Sequence, residues 1–127
     1  MRFTNALLLS ISAAAASAHD VVCFRFEETA PVEFVREGIN YLRRGKETDM
    51  AHLDPDMCWR VSCSYDTAIS WCNRAQDKEK EKSMSFFHIA EGAQVIIDEC
   101  AYMKGAAMAG IVDHPDKWQV IVHKDKC

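Results

Sequence analysis

The sequence predicts an α+β fold, a β-α-β-β-α-β sandwich with two helices on one face of an antiparallel sheet, stabilised by disulfides. Three observations carry that expectation. Six cysteines lie in a chain of 127 residues, and an even count behind a secretory leader reads as a disulfide framework. Two segments repeat apolar residues at helical spacing. Four shorter ones are rich in β-branched and aromatic residues, bounded by turn formers.

Residues 1–18 read as a signal peptide. Arg2 supplies the positive start, Ala6 to Ala16 is apolar apart from Ser10 and Ser12, and Ala16-Ser17-Ala18 is a small-residue cleavage site. Cutting is therefore expected before His19. The apolar stretch is too short to span a bilayer. Residues 19–127 suit a single domain. Their core is modest at that size, so covalent links add needed stability. Cys23, Cys58, Cys63, Cys72, Cys100 and Cys127 all survive cleavage, and no C-x-x-C zinc spacing occurs. Sequence alone does not choose among the pairings.

Val21 to Phe26 reads as a first strand. Thr29 is placed to cap a helix whose first turn holds Pro31. Val35, Ile39 and Leu42 then form its buried stripe, Arg43 and Arg44 suit its C-terminus, and Gly45 its αL cap, giving a helix over 31–44. Lys46 to Asp56 is polar, with Asp54-Pro55-Asp56 as a turn. Cys58–Ser64 and Ala68–Asn73 form a hairpin turning through Tyr65, Asp66 and Thr67. Alternation directs Trp59, Val61, Ile69 and Trp71 to the helices and Arg60, Ser62, Ser70 and Cys72 outward. The charged run from Asp77 to Lys82 reads as a solvated loop or helix lead-in. Ser83 or Ser85 caps a second helix with Phe86, Ile89, Ala90, Ala93, Ile96, Ile97 and Cys100 along its buried stripe and Lys104-Gly105 at its end. Small residues run from Gly105 to Gly110. Asp113 to Asp116 reads as a turn, and Trp118 to His123 as the last strand. Cys100 is expected to bind its helix to the sheet through Cys63 or Cys72, and Cys127 to hold the tail.

The block Cys58-Trp59-Arg60-Val61-Ser62-Cys63 through Trp71-Cys72-Asn73 resembles the core signature of a family of small cysteine-rich secreted fungal proteins. Ile89-Ala90-Glu91-Gly92-Ala93-Gln94, Ile97 with Cys100, Trp118-Gln119-Val120-Ile121-Val122 and Cys127 fit the same pattern, as do Val21-Val22-Cys23-Phe24 and Gly38-Ile39-Asn40-Tyr41-Leu42. The chain is similar to secreted-in-xylem type plant-pathogen effectors and, more remotely, to the α/β sandwich of killer toxins. It has Asn73-Arg74 where members carry Asn-Asp, and Met108-Ala109-Gly110 where they often carry Gly-Gly. The resemblance implies an extracellular, non-enzymatic effector that binds a host protein or a partner effector, with later entry into host cells left open. The alternative is a killer-toxin-like or antimicrobial protein acting on membranes or channels of competitors. The resemblance supplies no catalytic, cofactor-binding or metal residues, and no cofactor is expected.

Removing the leader removes Arg2, so 15 basic residues become 14 against 19 acidic ones, a net charge of −5. Without a basic stripe, nucleic acid is a poor partner, and stable membrane insertion is not expected. No serine-hydrolase, zincin or phosphate-loop motif is present. His88 and Glu91, one helical turn apart, read as a solvated pair, and His114 and His123 as isolated surface residues. Arg43-Arg44 is equally a helix-end charge pair or a dibasic processing site. Trp59 and Trp71 read as core. Cleavage before His19 would offer an amine and an imidazole to copper if His88, His114 or His123 lay near. Nothing in the sequence brings one there, so His19 is read as an accident of the cleavage site. A binding partner is expected at an exposed sheet edge and its loops.

Secreted protein should begin at His19 on N-terminal sequencing, and its intact mass should fall short of the reduced chain by the six thiol hydrogens. Retention of Met1, or two or more free thiols in native protein, would contradict this reading.

Overall fold

A computed structural model describes residues 19–24, 28–46, 48–77, 80–101 and 107–127. The signal peptide, Arg25-Phe26 of the expected first strand, part of the charged run and the Lys104-Gly105 helix end lie outside the described residues. The elements follow in the order β1 (Asp20–Phe24), α1 (Val32–Arg43), β2 (Met50–Leu53), β3 (Met57–Ser64), β4 (Thr67–Asn73), β5 (Lys82–Ser85), α2 (Phe86–Cys100), β6 (Ala109–His114) and β7 (Trp118–Lys124). Five strands make an antiparallel sheet ordered β1-β6-β7-β4-β3, and β2 pairs with β5 in a separate antiparallel ribbon. This is a disulfide-stabilised α+β sandwich.

The register explains where the helices sit. Ile69 and Trp71 lie opposite Val122 and Val120, and Val120 lies opposite Val112. Directly opposed residues share a face, so these five side chains form one apolar patch, and all are buried. Both helices pack on it. A Cβ added to Gly38 of α1 would meet Ile69 Cδ1 at 2.9 Å, and one added to Gly92 of α2 would meet Val120 Cγ2 at 2.7 Å. The expected stripes are the ones buried: Val35, Ile39 and Leu42 on α1, and Ile89, Ala90, Ala93, Ile96, Ile97 and Cys100 on α2. Phe86, at the α2 start, is only partly buried. Trp71 is fully enclosed, and its indole N–H has no hydrogen-bond partner among the described residues.

Local chemistry sets the ends. The Ser85 hydroxyl accepts from the backbone N–H groups of Phe87 and His88, so Ser85 is the α2 cap. Thr29 does not cap α1; Pro31 occupies the N-cap position and no side chain caps it. The α1 C-cap is Arg44 in the right-handed region, not an αL glycine. Gly45 serves close approach instead, since a Cβ there would meet Asp49 Oδ2 at 2.9 Å. Tyr65 and Asp66 both have positive φ, as the type I′ two-residue hairpin turn requires, and Thr67 already belongs to β4.

Three strands were not expected. β2 and β5 are four residues each; β2 lies in the polar segment 46–56, and β5 takes Lys82 from the end of the charge run and Ser83 to Ser85, the stretch expected to hold the cap of the second helix. β6 (Ala109–His114) takes in the end of the small-residue segment and the first two residues of the expected Asp113–Asp116 turn; its pairing with β7 makes it a strand and shortens the turn. A bulge also alters the outward set. The register shifts between Arg60 and Ser62, placing Ser62 opposite Ile69. Ser62 therefore faces α1 and is 8% exposed, whereas alternation had directed it outward; one extra residue reverses every later side chain.

The disulfides are Cys23–Cys100, Cys58–Cys72 and Cys63–Cys127. Cys100 thus bonds to β1, not to Cys63 or Cys72. The strand order is the reason: β1 lies beside β6, under the end of α2, where a Cβ on Gly110 would meet both Ile96 and Cys100. Cys58 and Cys72 face each other across the hairpin. Cys127 holds the tail, as expected.

Gly92→Ala tests the helix seat. The added methyl should lower stability by about 1–3 kcal/mol through overpacking, exceeding the ~1 kcal/mol that alanine adds as a helix former. Urea unfolding should show a lower midpoint at unchanged slope; an equal or higher midpoint would mean α2 is not seated this closely.

Candidate functional site

The chemistry-bearing surface forms where α1, β3 and the start of α2 meet. β3 is a sheet edge, so one side of its backbone is unpaired within that sheet. Tyr41, Leu42, Arg44 and Gly45 line one wall of a groove of about 510 Å³; Trp59, Val61 and Phe86 line the other. A second depression of about 520 Å³ continues along the strand and shares Tyr41, Arg44 and Val61 with the first. Tyr41 is 61% exposed and Trp59 44%, and Met57 is exposed further along the strand. The Trp59 ring meets Phe86 edge-on at 5.7 Å, and Phe34 stacks on Tyr65 at 4.5 Å. Arg43 lies over the Phe87 ring at 5.9 Å.

The exposure of Tyr41 and of Trp59 has a structural cause. Tyr41 stands on the flank of the α1 stripe, so burying Leu42 leaves it outside. Trp59 shares the helix-facing side of the sheet with Trp71, but it lies on the last strand, where the helix layer ends. The expectation that both tryptophans are core holds for Trp71 alone. Tyr41's position off the stripe was a readable signal; Trp59's exposure required the strand order.

The outer face of β3 is closed by the tail. Arg60 Nη1 donates to Asp125 Oδ2 and to the Lys126 carbonyl, both at 3.0 Å, and the Asp125 N–H donates to the Asp66 carbonyl. The hydrogen bond from Arg60 holds the Asp125 carboxyl below its ordinary range.

The remaining candidates divide between two faces. His123 lies on the outer face beside Ala68, away from the other histidines. His88 and Glu91 are exposed on α2, and they line a cavity of about 380 Å³ that also contains His19, His114 and Asp116. Among the described residues, no group of three or more His, Cys, Asp or Glu side chains is arranged to hold a metal ion, and no helix is long and apolar enough to cross a membrane. Arg43 and Arg44 lie at the end of α1, as last-turn residue and C-cap. No family model, curated protein or solved structure matches the chain.

The tail contact should depend on acid. A carboxyl with a lowered folded-state pKa stabilises the fold above its unfolded value, and that contribution disappears as pH falls through the folded value. Protection of the Asp125 amide, its exchange rate relative to the intrinsic rate at the same pH, should therefore be high at neutral pH and fall below the ordinary carboxylate range. Asp125→Asn should abolish that acid step; an undiminished step in the variant would assign it to another carboxylate.

Proposed function

We propose that the chain is a secreted, effector-like protein without enzymatic activity that binds another protein, either of a host or a partner effector, along the β3 edge. The observation that supports this most is the groove between α1 and β3. An eight-residue edge strand offers backbone hydrogen bonds to an added strand. Trp59 and Tyr41 beside it are residue types that dominate binding energy when they become enclosed. Arg44 adds a cation on the same wall.

Three disulfides and the absence of a membrane-spanning helix among the described residues are compatible with an extracellular protein, since such bridges persist in oxidising compartments. The resemblance of residues 58–73 to fungal secreted effectors agrees with that setting.

The test compares Tyr41→Ala/Arg44→Glu with the unaltered protein. Both side chains are exposed, so Tyr41→Ala should shift stability by no more than about 0.5 kcal/mol, and Arg44→Glu, which reverses a charge at the α1 C-terminus, by about 1 kcal/mol; both leave the protein folded. Affinity capture from host extract and from the producer's own secretome should retain a protein that the double variant releases. Loss of one hot spot corresponds to about 2 kcal/mol, roughly 30-fold in Kd. Equal retention by both proteins, or retention of lipid or glycan alone, would refute the groove as the binding site.

A further inference from the structure

The opposite edge of the sheet brings two histidines together. β1 and β6 pair antiparallel with Asp20 opposite Asp113, and one further step places His19 opposite His114. Their rings meet with centroids 4.9 Å apart at 68°. The His114 ring also stacks on Trp118 at 4.6 Å, which limits its rotation. Both histidines line the cavity beneath α2.

We propose that the mature protein binds one Cu(II) ion at this corner, through the His19 α-amine, the His19 imidazole and the His114 imidazole. The proposal rests on processing before His19, which frees the amine. An N-terminal histidine closes a chelate ring with its amine and Nδ1, and nitrogen donors in a tetragonal arrangement suit Cu(II). Two imidazoles alone fall short of three ligands, which agrees with the lack of a ready three-side-chain group; the amine completes the set.

Asp116 gives His114 the means to change role. The Asp116 backbone N–H donates to His114 Nδ1 at 3.1 Å, and the Asp116 carboxylate lies 3.4 Å from the same nitrogen. The first contact needs a bare Nδ1 and the second a protonated one. Copper at Nε2 places the proton on Nδ1 and so exchanges the backbone bond for the carboxylate. That is the orienting partner metal-bound imidazoles generally have. Asp116 is a positioning residue here and does not touch the ion.

The experiment uses the precursor expressed in a secreting host, with the N-terminus of the product sequenced and Cu(II) alone titrated against a competing chelator. One equivalent should bind, and electron paramagnetic resonance should show three nitrogen ligands. His114→Phe keeps a ring on Trp118 and should reduce the spectrum to two nitrogens with weaker binding. Asp116→Asn should weaken binding by about 10–100-fold, while His123→Ala should leave it unchanged. Thermal melts without metal establish that each variant folds. Equal affinity and an identical spectrum in wild type and His114→Phe would overturn the site, leaving only a terminal chelate. If the host cuts elsewhere, a chain released from a fusion with His19 as its first residue is titrated in the same way, so failed processing and a failed site are read separately.

Discussion

The seating of α2 directly on the sheet is the contact on which the other features depend. At Gly92 the helix has no side chain, and Val120 and Val112 rise into the space. At Gly110 the sheet has none, and Ile96 and Cys100 descend. These two gaps on opposing surfaces fix both the height and the position of the helix along the strands. Because packed interiors tolerate little added volume, the seat admits one arrangement. It puts Cys100 within bonding distance of Cys23, Phe86 against Trp59, and His88 and Glu91 above the corner where β1 and β6 end.

Around that seat, covalent and polar links hold what the core does not reach. Cys23–Cys100 joins residues 77 apart in sequence and Cys63–Cys127 residues 64 apart. In the chain-entropy account, bridges over such separations are worth roughly 4–5 kcal/mol each. Asn73 is fully buried and does similar work with hydrogen bonds. Its amide donates to the carbonyls of Leu53 and Lys80, and its carbonyl accepts from the Ala75 N–H. It thus joins the end of β4 to the chain flanking both ribbon strands. This resolves why an isolated two-stranded ribbon persists, since alone it would be marginal.

The two surfaces of interest lie at opposite edges of the sheet. The groove follows β3, and the histidine corner is formed by the ends of β1 and β6. With strands about 4.8 Å apart, roughly 15–19 Å of sheet separates them. A chain adding along β3 would leave the histidines uncovered, so the proposed protein partner and the proposed metal ion would not compete for the same place. Both surfaces also adjoin α2, whose first turns border the groove at Phe86 and the corner at His88.

Much of the fold was legible locally. Helical periodicity located α1 and α2 because a helix must bury one stripe, and the Cys58–Asn73 hairpin was legible because alternation and turn residues are short-range signals. The Ser85 cap likewise depends only on neighbouring N–H groups. Strand order, by contrast, is a long-range outcome, and the errors follow from it: Cys100 meets Cys23 because β1 enters beside β6, and Trp59 is exposed because β3 ends the sheet. The bulge at Arg60/Ser62 reversed Ser62 without a glycine or proline to mark it. The same distinction applies to the surfaces. His19 and Tyr41 were visible as residues, but partners 95 positions along the chain for His19, and a facing strand edge for Tyr41, exist only once the sheet has closed. Sequence determined which segments hide an apolar face; tertiary packing decided which of the remaining side chains meet, because that depends on the order in which strands pair.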